Sequence, residues 1–395
     1  MGRSKLIGCG LAVGAIAVAA AGVSVAATAS GSPSYHACAS AKRVLSLQRH
    51  GRCPSGTVRV SIGARGPKGA RGKSGPRGPA GVLPHPDPSR VALLDWWGGV
   101  HSGGSYGFDA PGGIAFDGTH LWVANVAGNS VTEFGTTGAW VRTLSGGSYG
   151  FDGPNGIAFD GVHLWVTNTT GDSVTEFGTN GAWVRTLSGG SYGFGNPFAI
   201  AFDGSDVWVT NLGADSVTEI GTNGAWVQTL SGGSFAFDNP AAIAFDGAHL
   251  WVTNRAGDSV TEFDPAGAWV QTLSGGSFGF NFSDGIAFDG QDLWVANHNG
   301  NSVTEFDPAG TWVATLTDAS YGFSAPARIA FDGAHLWVTN ESGSLTEIDT
   351  QGRWTTTLSG ASFGFNVPIG IAFDGSHLWV TNNGGNSVTD IPAGS

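Results

Sequence analysis

Beyond about residue 110 the chain is written in short apolar runs broken by turn residues. One stretch shows the grammar. Ile157-Ala158-Phe159 is apolar, and Asp160-Gly161 is a hairpin dipeptide whose residues tolerate positive φ. Leu164-Trp165-Val166-Thr167 is a second run, closed by Thr169-Thr170-Gly171-Asp172. Ser173-Val174-Thr175-Glu176-Phe177 alternates as a third strand, and Gly178-Thr179-Asn180-Gly181 turns it. Ala182-Trp183-Val184-Arg185-Thr186-Leu187 is the fourth. The pattern predicts four antiparallel strands in one twisted sheet. Its inner strands are apolar on both faces, as a sheet packed between two like sheets requires.

This unit occurs seven times. Its anchoring tryptophans are Trp122, Trp165, Trp208, Trp251, Trp294, Trp337 and Trp379, spaced 43, 43, 43, 43, 43 and 42 residues apart. A fixed period in the low forties with several short strands per copy predicts an all-β, seven-bladed β-propeller of four-stranded antiparallel blades. The last copy stops after its third strand, near Ile391. Before the first copy, Trp97 stands five residues ahead of Ser102, as Trp140 stands five ahead of Ser145. An N-terminal strand is therefore expected to close the last blade and leave no inner sheet edge unpaired.

Composition agrees: 66 glycines and 12% charged residues suit tight turns and buried strands rather than long helices. The net charge of −12 conceals a division. Residues 30–90 carry 11 Lys/Arg against Asp87 alone, and residues 91–395 carry 5 basic residues against 29 acids, a net −24. Such an acidic body is not expected to bind nucleic acid.

The N-terminal region divides further. Residues 1–29 resemble an export signal: Arg3 and Lys5, an apolar stretch over 6–25, then Ala27-Thr28-Ala29 as a small-x-small cleavage site. A retained membrane anchor is the alternative. Residues 30–62 hold Cys38 and Cys53, an even pair in an exported chain, which favours a disulfide over two free thiols. Over residues 63–81, Gly63, Gly66, Gly69, Gly72, Gly75, Gly78 and Gly81 fall at every third position, a collagen-like pattern. Six triplets are few, so a basic linker with weak homotrimerisation is expected, a firm trimeric stalk being the alternative. Residues 82–90 form a Pro-rich spacer, and the propeller occupies 91–395.

Two resemblances add to this reading. Tyr35-His36-Ala37-Cys38 and Arg52-Cys53-Pro54-Ser55-Gly56, followed by Gly-X-Y triplets, resemble a two-cysteine module found before collagen-like tracts in some secreted bacterial proteins, which implies surface display. The motif G-I-A-F-D-G-x-H-L-W-V-T-N, over residues 156–168, resembles the NHL/YVTN-type propellers, a resemblance that covers residues 91–395. That type includes surface-layer repeats, sugar-lactone hydrolases, streptogramin-type lyases and interaction scaffolds, so it implies a fold and leaves activity open. Its lyases and hydrolases use convergent His, Glu or Asp groups with a divalent metal.

A residue present in every copy is most simply architectural. Asn125, Asn168, Asn211, Asn254, Asn297, Asn340 and Asn382 end the second strand of each blade and read as turn caps. Glu133, Glu176, Glu219, Glu262, Glu305 and Glu347 recur in the third strand. His120, His163, His249, His335 and His377 sit one per blade, which argues against convergence on one metal ion. The informative positions are the departures. In the loops entering the innermost strand, Asp284 and Arg328 stand out; after the recurring asparagine, Arg255, His298 and Glu341 do. The resemblance places both loop sets on one face around the channel mouth. These five are the candidate binding residues, with Phe198, Leu212 and Ile369 as an alternative apolar patch. No catalytic residue, metal site or cofactor is assigned. The expected function is a secreted or cell-surface non-catalytic scaffold for a protein or polysaccharide partner, with an anionic wall polymer meeting the basic arm. A metal-assisted lyase or hydrolase using His298 and Glu341 is the alternative.

Overall fold

The computed structural model describes residues 35–40, 45–47, 57–62 and 99–393, in two units that part between residues 81 and 82. The first holds a three-stranded antiparallel sheet with Tyr35–Ser40 between Leu45–Leu47 and Thr57–Ile62. No strands were expected there, although Val58, Val60 and Ile62 alternate as one strand face should. The export signal, the Cys38–Cys53 bond, the Gly-X-Y tract and the Pro-rich spacer fall on residues or side chains outside the described ones.

The second unit is seven four-stranded antiparallel sheets. Their innermost strands, Pro111–Phe116, Pro154–Phe159, Pro197–Phe202, Pro240–Phe245, Ser283–Phe288, Pro326–Phe331 and Pro368–Phe373, open blades one to seven. Blades one to six run outward in chain order; blade seven runs Pro368–Phe373, His377–Asn382, Ser387–Pro392 and then Gly99–Ser102. Ser102 lies opposite Ser387 as Ser145 lies opposite Ser130, the register that the Trp97–Ser102 spacing implied. Trp97 itself is outside the described residues. Blade seven also meets blade one, with the Trp379 and Phe134 rings 5.3 Å apart and Thr381 Oγ1 donating to the Gly112 carbonyl at 2.7 Å.

The recurring residues now have physical jobs. Each anchoring tryptophan is fully buried, and Trp122, Trp208 and Trp251 pack on Phe177, Phe263 and Phe306 of the next blade at 5.2–5.3 Å. The hairpin aspartate holds that indole in place. Asp160 Oδ2 accepts from Trp165 Nε1 at 2.7 Å, while Oδ1 accepts the Val162 and His163 amides. The recurring asparagines are fully buried staples, a correction to their reading as turn caps. In six blades their Nδ2 donates to the Ser and Thr hydroxyls of the adjoining third strand, as Asn168 does to Ser173 and Thr175.

The recurring histidines pair within their own blades. His163 Nδ1 lies 3.2 Å from Glu176 Oε1, and Arg185 Nε lies 2.8 Å from Glu176 Oε2. Burial raises the Glu176 carboxyl pKa, and Arg185 and His163 offset part of that rise. His120, Glu133 and Arg142 repeat the set in blade one.

Candidate functional site

The two loop sets share one rim because backbone hydrogen bonds join them. The amide after each recurring asparagine donates to the loop entering the innermost strand of the same blade: Arg255 to Asn239, His298 to Phe282 and Glu341 to Ala325, at 3.0–3.1 Å. Arg255, Asp284, His298, Arg328 and Glu341 therefore stand on one face of blades four to six.

Three of the five converge. Asp284 is almost fully buried and is held by two arginines from different blades. Arg255 Nε donates to Asp284 Oδ1 at 3.0 Å, and Arg255 Nη2 reaches the same oxygen more closely. Arg328 Nη1 lies 2.9 Å from that oxygen and also donates to the Asp284 carbonyl at 3.1 Å. Burial by itself would raise the Asp284 pKa; the two guanidinium charges and their hydrogen bonds outweigh it and hold the carboxyl below its ordinary value. The trio carries one net positive charge. The guanidiniums are not exhausted, because Arg255 Nη1, Arg328 Nε and Arg328 Nη2 have no acceptor among the described residues.

Aromatic rings flank the charges. The Arg255 guanidinium lies 4.8 Å from the Phe198 ring centre and 5.1 Å from that of Phe282, and Arg328 lies 5.5 Å from Phe198. Phe282 was not singled out in the sequence. It occupies the column of Ala110, Gly153, Asn196, Asn239, Ala325 and Val367, all at positive φ, and is that column's only aromatic residue. Asp258 Oδ1 accepts its amide at 2.7 Å and holds the turn. Phe282 also touches the second pair, its ring 5.6 Å from His298. His298 Nε2 is 3.3 Å from Glu341 Oε2, and His298 Nδ1 is 3.0 Å from Asn299 Oδ1.

Phe198, Arg328 and Ile369 also line a channel cavity of about 150 Å³, walled by Ile114, Ile157 and Ile200. Of the alternative apolar trio, Phe198 and Ile369 thus face the cavity, and Phe198 belongs equally to the arginine cluster. A glycine sets how closely blades five and six approach here. A Cβ on Gly285 would fall 2.4 Å from the Ala327 carbonyl oxygen and 2.8 Å from Arg328 Cα, both backbone atoms. We expect Gly285→Ala to cost about 1–3 kcal/mol through overpacking, read as a lower melting temperature. An unchanged melt would show that the two strands yield freely.

The lyase-type alternative implies a divalent metal, and the residues present do not suit one. Among the described residues no three His, Cys, Asp or Glu side chains gather closely enough to hold an ion. Among the described residues His298 has Glu341 as its one carboxylate partner, and Asp284 is already neutralised by two arginines.

No protein-family model matches the sequence, and no curated protein matches it. Solved structures do. A streptogramin B lyase superposes with a TM-score of 0.62 at 15% identity, over 74% of this chain and 96% of that one. A catalytically inactive virginiamycin B lyase from Staphylococcus aureus, in complex with quinupristin, gives 0.64 at 15% identity, over 75% and 99%. Kuenenia stuttgartiensis hydrazine synthase gives 0.61 at 19% identity, over 72% and 96%. At these identities the likeness is one of fold: this chain carries a seven-bladed propeller similar to that of streptogramin B lyase.

Proposed function

We propose that this chain is an exported, non-catalytic binding propeller that captures an anionic group, foremost a carboxylate, at the channel mouth of blades four to six. One observation carries the reading. Two of the five Lys/Arg residues in an otherwise strongly acidic body meet at one buried aspartate and keep three N–H-bearing nitrogens without acceptors among the described residues. Guanidinium N–H groups match carboxylate oxygens in charge and geometry. Phe198 and Phe282 supply an apolar wall for the remainder of the ligand, as small-molecule sites commonly do. His298, paired with Glu341, is a further polar contact at the rim rather than a metal ligand. Export rests on the charge and hydropathy pattern of residues 1–29.

The test is a thermal-shift titration of the full chain with citrate, glutarate and hydrocinnamate, beside their amides. At least one carboxylate should raise the melting temperature while its amide does not, and Arg255→Ala and Arg328→Ala should each weaken the interaction at least tenfold. No shift with any carboxylate, or a shift that survives both substitutions, rejects the proposal.

A further inference from the structure

The channel mouth is not the only place where this propeller departs from what packing requires. The outermost strands of blades one to five present Trp140, Trp183, Trp226, Trp269 and Trp312, each 44–47% exposed, at equivalent positions on consecutive blades. The blade cores are complete without them, since the anchoring tryptophans are fully buried. Each outer indole donates its N–H to the threonine three residues on, at 3.0–3.2 Å. That bond fixes the ring against its strand and leaves an aromatic surface in water. A register shift beside the tryptophan leaves the following residue without a partner on the third strand. In four blades that residue is an exposed valine: Val141, Val227, Val270 and Val313.

Blade six shows the alternative arrangement. Trp354 makes the same bond to Thr357 at 2.9 Å but is only partly exposed, packed against the cluster that contains Ala314. In blades one, three and four the equivalent of Ala314 is Arg142, Gln228 or Gln271, which reaches the turn of the following blade. In blade five that position is Ala314 and the next tryptophan packs inward, whereas Gly99 at the same position in blade seven leaves Trp140 exposed. Exposure of the other five is thus a property of the sequence, not a necessity of the fold.

We infer that these five indoles form a row of stacking platforms for the sugar rings of a neutral polysaccharide. Three observations favour this occupant. A site repeated on five consecutive blades suits a ligand that itself repeats, and avidity then multiplies weak single contacts. The electron-rich face of an indole attracts the weakly positive C–H face of a pyranose. A ring already immobilised loses little further freedom on binding. The net charge of −24 over residues 91–395 opposes anionic polymers and anionic membranes, which leaves neutral glycans favoured. This inference does not depend on the carboxylate reading of the channel mouth.

The experiment is native electrophoresis of the full chain through gels containing hydroxyethylcellulose, mannan or glycol chitin, beside a plain gel. At least one polymer should retard the protein. Trp183→Ala with Trp226→Ala and Trp269→Ala in one chain should weaken the apparent affinity more than tenfold, and a single substitution about twofold. A Trp→Tyr triple variant should retain most of the retardation, and circular dichroism melts of both triple variants report on their folding. No retardation in any gel, or equal retardation of a folded alanine variant, overturns the inference. So does a dimer in sedimentation, or binding to phosphatidylcholine vesicles, that disappears with the indoles in the absence of glycan binding.

Discussion

A chain that begins at Gly103 should melt roughly 10–20 °C below one that begins at Gly99, given about 2–4 °C per kcal/mol for domains of this scale or slightly smaller. The two differ by four residues, which form the outer strand of blade seven along Ser387 to Asp390. Their removal deletes a short ladder whose hydrogen bonds contribute about 1 kcal/mol each. It also deletes the His101 Nε2 contact with Asp390 Oδ1 at 2.8 Å and the contact of the His101 ring with Trp379 at 5.4 Å. Together these amount to about 4–6 kcal/mol, counting the lost side-chain burial. The strand left behind contains Val388 and Ile391, both fully buried, and would become an unpaired edge. Such edges recruit other chains, so the shorter protein should also self-associate in sedimentation. Calorimetry of both chains is the check. Melts within about 3 °C of each other would mean that the strand decorates the ring and does not hold it shut.

That strand was legible because periodicity is a long-range signal. The Trp97-to-Ser102 spacing copies that of five of the six intact repeats, with Thr317 in the serine's place in the sixth, so a missing fourth strand at one end and a spare one at the other could be matched by counting. The role of the asparagines was not legible in the same way. A residue at the end of a strand reads as a turn residue, and only the packing shows that Asn168 is buried and bonded to two hydroxyls. The candidate site divides along the same line. Arg255, Asp284 and Arg328 stood out as departures from a repeat, but repeat comparison gives no distances. It therefore placed them on one face without showing that two arginines share one carboxylate oxygen. Phe282 carries no charge and so does not register as a titratable departure, although it is the one aromatic residue of its column. The outer tryptophans do not stand out for the opposite reason: they recur, and a recurring residue reads as architecture. Exposure separates the buried row from the exposed one, and exposure cannot be read from a shared letter.

Asp284→Asn should lower stability and raise anion affinity, a divergence that an exposed, adventitious ion pair would not produce. Removing one partner of a buried charge pair costs about 3–5 kcal/mol when the other charge stays dry. Arg255 and Arg328 keep 18% and 22% side-chain exposure and can partly rehydrate, so about 2–3 kcal/mol is the expected loss. The pH dependence follows from the direction of the pKa shift. The folded carboxyl lies below its ordinary value, so its contribution is complete above the unfolded-state value of about 4 and disappears as pH falls through the folded one. Wild-type stability minus that of Asp284→Asn should be constant from neutrality down to about pH 5 and shrink below about pH 4. The same substitution changes the trio from one net positive charge to two and releases guanidinium N–H groups now spent on Asp284. A carboxylate that binds the wild-type site should therefore bind the variant several-fold more tightly at neutral pH, as measured by calorimetric titration. If affinity falls along with stability, Asp284 positions the arginines, and their alignment matters more than their net charge. If neither changes, the convergence of these three side chains contributes nothing to the fold or to recognition.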